Sequence, residues 1–123
     1  MPKYLKSGNI SERDIQKTTM EWVKLHHELN GLVFSFPNEV AISVHRRKLL
    51  IDMGMRPGVS DLFVMMMRHN YGGAWIELKS LDGSLKPHQD AFLKDAEKQG
   101  YFTSVCWSAD EAIEILQWYC FDK

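Results

Sequence analysis

One short segment, Ala74-Trp75-Ile76-Glu77-Leu78-Lys79, restricts the folds open to this chain more than any other. It follows a Gly72-Gly73 turn and reads as a strand. Side chains alternate between faces along a strand, so Ile76 and Leu78 point one way while Glu77 and Lys79 point the other. A carboxylate and an ammonium at i and i+2 could form a surface ion pair on an edge strand. The apolar neighbours Trp75, Ile76 and Leu78 suggest a central strand instead, where burying both charges is costly unless they are used. The fold must then bring partners to these two groups.

Asp61 is the first candidate partner. It follows a glycine turn at Gly58 and opens a second apolar run, Leu62-Phe63-Val64-Met65-Met66-Met67. The runs are joined through His69-Asn70-Tyr71-Gly72-Gly73, which predicts a hairpin. Out of context Asp61 reads as a turn residue. With Glu77 and Lys79 it completes the acid, acid, lysine set that metal-dependent phosphodiester hydrolysis needs. Two carboxylates hold a hard divalent cation through oxygen, and the lysine stabilises charge on the attacked phosphate or on the attacking hydroxide. Met65, Met66 and Met67 read as core filling. Gly58 reads as a close approach of the chain to substrate.

The remaining elements follow from caps and periodicity. Ser11 and Asp14 start a first helix, with Ile10 placed to staple onto Ile15. Its apolar stripe is Ile15, Thr19, Trp22, Val23 and His26, and Asn30-Gly31 ends it. Leu32–Phe36 reads as a strand stopped by Pro37-Asn38. A helical stretch through Arg46 to Met53 carries His45-Arg46-Arg47-Lys48 and stops at Gly54. Pro87 suits the first position of a helix running to Gly100. Tyr101–Trp107 is a further strand, and Ser108 with Glu111 caps a last helix to about Cys120. The order α-β-α-β-β-α-β-α predicts an α/β fold, a sheet with helices packed on it.

Two of these helices add candidates to the site. At about 100° per residue, Glu12 shares a face with Ile15, Gln16, Thr19 and Val23, whereas Glu21 lies about 180° away and should face solvent. Glu12 can thus reach the pocket of Asp61 and Glu77 as an additional ligand or supporting acid, although an acid in a first turn is also favoured by the helix dipole. Gln89 falls in the first turn of its helix, where backbone amides favour an anion. The plainer alternative is an ordinary polar helix residue. Lys86 and His88 are nearby without an assigned role.

Composition bounds the rest. A chain of 123 residues has room for one domain, spanning residues 1–123. No apolar stretch approaches the roughly 20 residues of a membrane span, and Met1–Lys6 lacks the apolar core of a signal peptide, so a cytoplasmic location is expected. Cys106 and Cys120 read as buried thiols. A net charge of −1 counts against a simple non-specific DNA coat and less against a nuclease, whose acidic ligands offset basic side chains. The basic cluster at 45–48 reads as a solvated helix face in preference to a DNA contact.

Gly58-Val59-Ser60-Asp61, then Ile76-Glu77-Leu78-Lys79, then Gln89 within Lys86-Pro87-His88-Gln89, resembles the VRR-NUC family of the restriction-endonuclease-like PD-(D/E)XK superfamily. The likeness runs from about Ser11 to Trp118 and rests on the ordered set Glu12, Gln16, Asp61, Glu77, Lys79 and Gln89. One departure is Ser60, where a proline often precedes the aspartate. The resemblance implies a restriction-endonuclease-like core, a central mixed β-sheet flanked by helices. It implies Mg²⁺ or Mn²⁺ held by Asp61, Glu77 and the backbone carbonyl of Leu78, with Glu12 completing or supporting the shell. It also implies that Gln89 lies beside a catalytic Lys79, orienting it or touching the phosphate. Stand-alone members, bacterial or phage-encoded, look like structure-specific endonucleases acting on branched DNA such as a Holliday junction. A homodimer would match such a two-fold substrate, with Trp118 and Phe121 of the last helix as a possible interface, unless the N-terminal tail covers them. The alternatives are a flap-, nick- or duplex-cleaving nuclease of the same chemistry, and a non-catalytic DNA-binding protein that keeps the fold.

Overall fold

A computed structural model describes residues 10–37 and 42–123. Its helices are α1 (Glu12–Lys24), α2 (Val44–Asp52), α3 (Pro87–Lys98) and α4 (Ala109–Phe121). Its strands are β1 (Val33–Ser35), β2 (Leu62–Val64), β3 (Ala74–Leu78) and β4 (Phe102–Cys106). The sheet order is β1-β2-β3-β4. The first two pairings are antiparallel and β3 pairs β4 in parallel, so the sheet is mixed. The α/β architecture expected from the sequence is the one observed.

β3 sits between β2 and β4, and this position sorts its side chains. Ala74, Ile76 and Leu78 are fully buried in one core with Leu62, Val64, Ile15 and Val23 of α1, and Ala112, Leu116 and Tyr119 of α4. Trp75 points the other way, its ring edge-on to Phe92 of α3 with centroids 4.9 Å apart. Glu77 shares that second face by strand alternation. Two polar side chains of the core are satisfied by backbone carbonyls: Thr19 Oγ1 donates to the Ile15 carbonyl at 2.8 Å, and the Tyr119 hydroxyl to the Met66 carbonyl at 2.7 Å.

Several boundaries differ from those read in the sequence. α1 stops at Lys24 and a short 3₁₀ turn, His27–Leu29, replaces its last expected turns. Six more helical residues would carry the chain about 9 Å further along the axis, whereas the tighter turn drops Leu29 into the core just before β1. Every strand is shorter than expected, and Met65, Met66 and Met67 lie outside β2. Met65 and Met67 are 53% and 78% exposed, so only Met66 packs against the core. The ladder runs out because β1 offers β2 just three partners and one further bond, from Met65 N–H to the Leu32 carbonyl. Asn38, expected to help stop β1, lies outside the described residues, as does the N-terminal tail expected as a possible cover for the last helix.

The last helix needs no such cover. Trp118 stacks on His69 with ring centroids 4.2 Å apart and packs on Phe102, while Phe121 meets Trp22 and His26. Both aromatics expected as an interface are therefore half-buried within their own chain. Cys106 and Cys120 are free and buried, as expected.

Gly58 makes a close approach within the chain. Its φ is +89°, and a Cβ there would lie 2.5 Å from the His88 carbonyl oxygen. The approach seen is to the first turn of α3. Gly58→Ala should therefore lose roughly 2 kcal/mol or more of stability through strain and backbone displacement, read from urea denaturation. A variant as stable as the parent would refute this packing.

Candidate active site

The β2–β3 register places the acids. Leu62 pairs with Ile76, so the residue before β2, Asp61, falls beside Glu77. Asp61 Oδ2 accepts the Leu78 N–H at 2.7 Å, which extends the ladder by one side-chain bond and fixes the Leu78 peptide at the site. Lys79 leaves β3 but stays anchored, its own N–H donating to the Cys106 carbonyl at 2.9 Å. Its ammonium lies 3.6 Å from Glu77 Oε2 and 4.0 Å from Glu12 Oε2. Glu77 and Lys79 are only 2% and 3% exposed.

Glu12 reaches the site from the first turn of α1, as its helical phase predicts. A side chain at Gly83 would come within 3.1 Å of Glu12 Oε2, so this carboxylate is framed by the turn after β3 on one side and Lys79 on the other. Glu21 is exposed, as expected, but it lines the far part of the same groove that Glu12 and Asp61 open onto. Gln16 lines that groove too.

Gln89 is buried at the third position of α3, and its Oε1 accepts the Lys86 N–H at 3.0 Å. Part of this side chain therefore caps its own helix. Lys86 and His88 are exposed, and His88 contributes its backbone to the Gly58 contact. The 45–48 cluster lies on α2, a helix with no buried residue, where Arg46 and Lys48 are exposed. That agrees with a solvated face.

The electrostatics of the acids are set by burial. Desolvation and the neighbouring Asp61 carboxylate push Glu77 up to about 8, and Lys79 only partly offsets them. Asp61 is raised as well, chiefly by burial, with the Leu78 N–H pulling the other way. Although Lys79 is at ion-pair distance from Glu77, burial and Asp61 outweigh it, and the pair of acids retains a proton near neutral pH. Glu77 Oε1 is buried without a hydrogen-bond partner among the described residues. Two close carboxyls, one carrying an orphaned oxygen, suit a divalent cation. Among the described residues no three acids, histidines or cysteines converge into a ligand cage. The oxygen donors that fit are Asp61, Glu77 and the Leu78 carbonyl, with Glu12 set back against Lys79. Ser60 Oγ, where a proline would have no side-chain polar atom, is also buried and has no partner among the described residues; nothing in the structure explains it.

A pH dependence follows from these shifts. Glu77 ordinarily titrates near 4.5 and here near 8, so between those values the folded state holds a proton the unfolded chain has released. This contribution is complete below about pH 4.5 and disappears as pH rises through about 8, with Asp61 shifted in the same direction. In chelator, the urea midpoint should fall across that range, and Glu77→Gln should flatten the decline. A midpoint rising with pH would contradict the site electrostatics.

The geometry can be set beside known proteins. The sequence model of the VRR-NUC domain matches residues 4–110, most of the chain. A solved structure described as a VRR_NUC domain protein superposes with a TM-score of 0.80 at 24% identity, covering 90% of this chain and 88% of that one, which shows a shared fold. No curated protein matches the chain. The order of Asp61, Glu77 and Lys79 along the chain, their meeting at one end of β3, and the domain match over residues 4–110 agree, and the chain belongs to the VRR-NUC family of nucleases.

Proposed function

We propose that this protein is a Mg²⁺- or Mn²⁺-dependent endonuclease that hydrolyses phosphodiester bonds in branched DNA, working as a homodimeric Holliday-junction resolvase. The observation that carries the chemistry is the buried meeting of Asp61, Glu77 and Lys79, with one Glu77 oxygen left unpartnered. Asp61, Glu77 and the Leu78 carbonyl are the donors for the cation. When bound, it supplies Lewis acidity and lowers the pKa of hydrolytic water. On holding the cation, Asp61 and Glu77 would release the proton they otherwise retain.

The chain's own groups do the remaining work. Lys79 is buried, so its positive charge acts in a low-dielectric setting on the charge that develops at the phosphate. Glu12, 4.0 Å from the Lys79 ammonium, positions that lysine and supports the acidic shell. Gln89, held in the first turn of α3, orients Lys79 or meets the phosphate from a helix N-terminus. The homodimer rests on substrate symmetry: one site per chain makes one cut, and resolving a four-way junction needs two related by a two-fold axis. The partly buried aromatics of α4, Trp118 and Phe121, already pack within the chain.

Asp61→Ala, Glu77→Ala and Lys79→Met should each lower cleavage by roughly 10²–10³-fold or more while the protein still folds, since removing one acid relieves like-charge repulsion. Mn²⁺ at about a hundred times its Kd should raise the melting temperature by roughly 5–15 °C, and the two acid variants should lose that rise. Glu12→Gln should reduce cleavage strongly and Glu21→Gln should leave it nearly unchanged. Cleavage by Glu77→Ala at the parental rate would sink the reading.

Substrate and assembly are tested together. A panel of four-way junction, flap, splayed-arm, nicked and plain duplex DNA in Mg²⁺ should show preference for the junction, with cuts symmetric on opposing strands. Light scattering should report about twice the chain mass. A strict monomer on junction DNA, or preference for flaps or nicks, would replace the resolvase with another nuclease of the same chemistry. DNA binding with no metal-dependent cleavage would replace it with a binding protein.

A further inference from the structure

A groove of about 730 Å³ runs along the outer side of α1 and opens onto Asp61. One wall carries Arg13, Lys17 and Lys24, and the other presents Phe36. Among the described residues none of these three cations makes an ion pair, whereas Arg56 and Lys94, carried elsewhere, are each paired with an aspartate at 2.7 and 2.8 Å. The acids that share the groove are not equivalent. Asp61 is bonded to the Leu78 N–H and Glu12 faces Lys79, which leaves Glu21 as the acid set against the three cations on this wall. An overall charge of −1 thus conceals a local positive stripe beside the acids.

Phe36 is 36% exposed at the end of β1. It is held from behind by two rings, Phe34 at 5.6 Å and Trp75 at 5.5 Å, and Trp75 is in turn 4.4 Å from Phe63. Trp75 lies two residues before Glu77 on the same face of β3, so the aromatic row leads toward the site. A cationic track facing a rigid, partly exposed aromatic is the combination that binds single-stranded nucleic acid, where phosphates take the charge and bases stack on the ring. Along α1, Arg13 and Lys17 are one turn apart, about 6 Å, a spacing that lets them meet successive phosphates of an extended strand.

We propose that this groove is the track for a DNA strand unpaired where it leaves a duplex at the branch point of the substrate, with Arg13 and Lys17 on its phosphates and a base stacked on Phe36. The proposal rests on the nuclease reading and adds to it which part of a branched substrate the protein grips. It places the branch point beside the acids. A plain duplex, whose bases are already stacked on one another, leaves Phe36 unused.

The test is fluorescence anisotropy with a labelled oligothymidine strand, a splayed-arm DNA and a plain duplex, in Ca²⁺ to limit cleavage. The parent should bind the two probes that contain single strand more tightly than the duplex. Phe36→Leu should weaken that binding roughly five- to hundredfold while Phe36→Trp retains it. Lys17→Ala should reduce the slope of log affinity against log salt by about 0.7, the single-strand value for one lost phosphate contact. Glu21→Lys should tighten binding, and Lys94→Ala should change nothing. Parental binding by both Phe36→Leu and Lys17→Ala, in variants whose circular-dichroism melts are unchanged, would overturn the groove assignment. So would equal losses on duplex and single strand. Parental cleavage in Mn²⁺ is measured alongside. Cleavage with insensitive binding removes the groove alone, whereas groove-dependent binding without cleavage of these probes or of a four-way junction removes the nuclease reading and leaves the groove standing.

Discussion

Burying Glu77 beside Asp61 is the constraint on which the rest of the structure turns. Two carboxyls in a poorly solvated pocket cannot both ionise at low cost. The chain answers with three compensations, all at the end of β3. Lys79 comes from the end of the same strand, the Leu78 N–H binds Asp61, and Glu77 is pushed up to about 8 so that the pair keeps a proton. A group held in that state stores free energy that a divalent cation can release. The arrangement is a poor way to stabilise a strand and a good way to hold a charged ligand.

The sheet makes this arrangement possible by separating two tasks on one strand. The face bearing Ala74, Ile76 and Leu78 closes the core against α1 and α4. The opposite face carries Trp75 and then Glu77, with α3 covering part of it through Phe92. Hydrophobic packing on the first face anchors β3 firmly enough to bear the charge cost on the second. The parallel β3–α3–β4 crossover brings the first turn of α3, with Gln89, near the turn around Gly58. The glycine matters because the backbones of two elements meet where no Cβ fits. The site is therefore assembled from the ends of elements, and its precision depends on element lengths more than on any single contact.

Residues with a backbone-independent signal were legible from the sequence. The alternation in Ala74–Lys79, the cap at Ser11, the proline opening α3 and the helical phase of Glu12 each have a local cause. A local cause survives folding unchanged. The misreadings share the opposite property. Met65 and Met67 look like core because they are apolar, yet they are exposed because β1 supplies too few partners. Trp118 and Phe121 look unpartnered on a helical wheel, yet His69, Trp22 and His26, distant in sequence, cover them. The cations of α1 carried no signal in the sequence, since three basic residues on a helix usually mean only solvent exposure.

By itself the sequence determined the α/β order, the central place of the Glu77 strand and the set of groups that had to meet, because period, capping and the cost of buried charge act within a few residues. Only the tertiary structure decided how those groups meet. The register that sets Asp61 beside Glu77, the retention of a proton between them, the backbone contact of Gly58 with α3 and the groove along α1 all depend on distances between segments far apart in the chain. Those distances are fixed by packing, which no local rule contains.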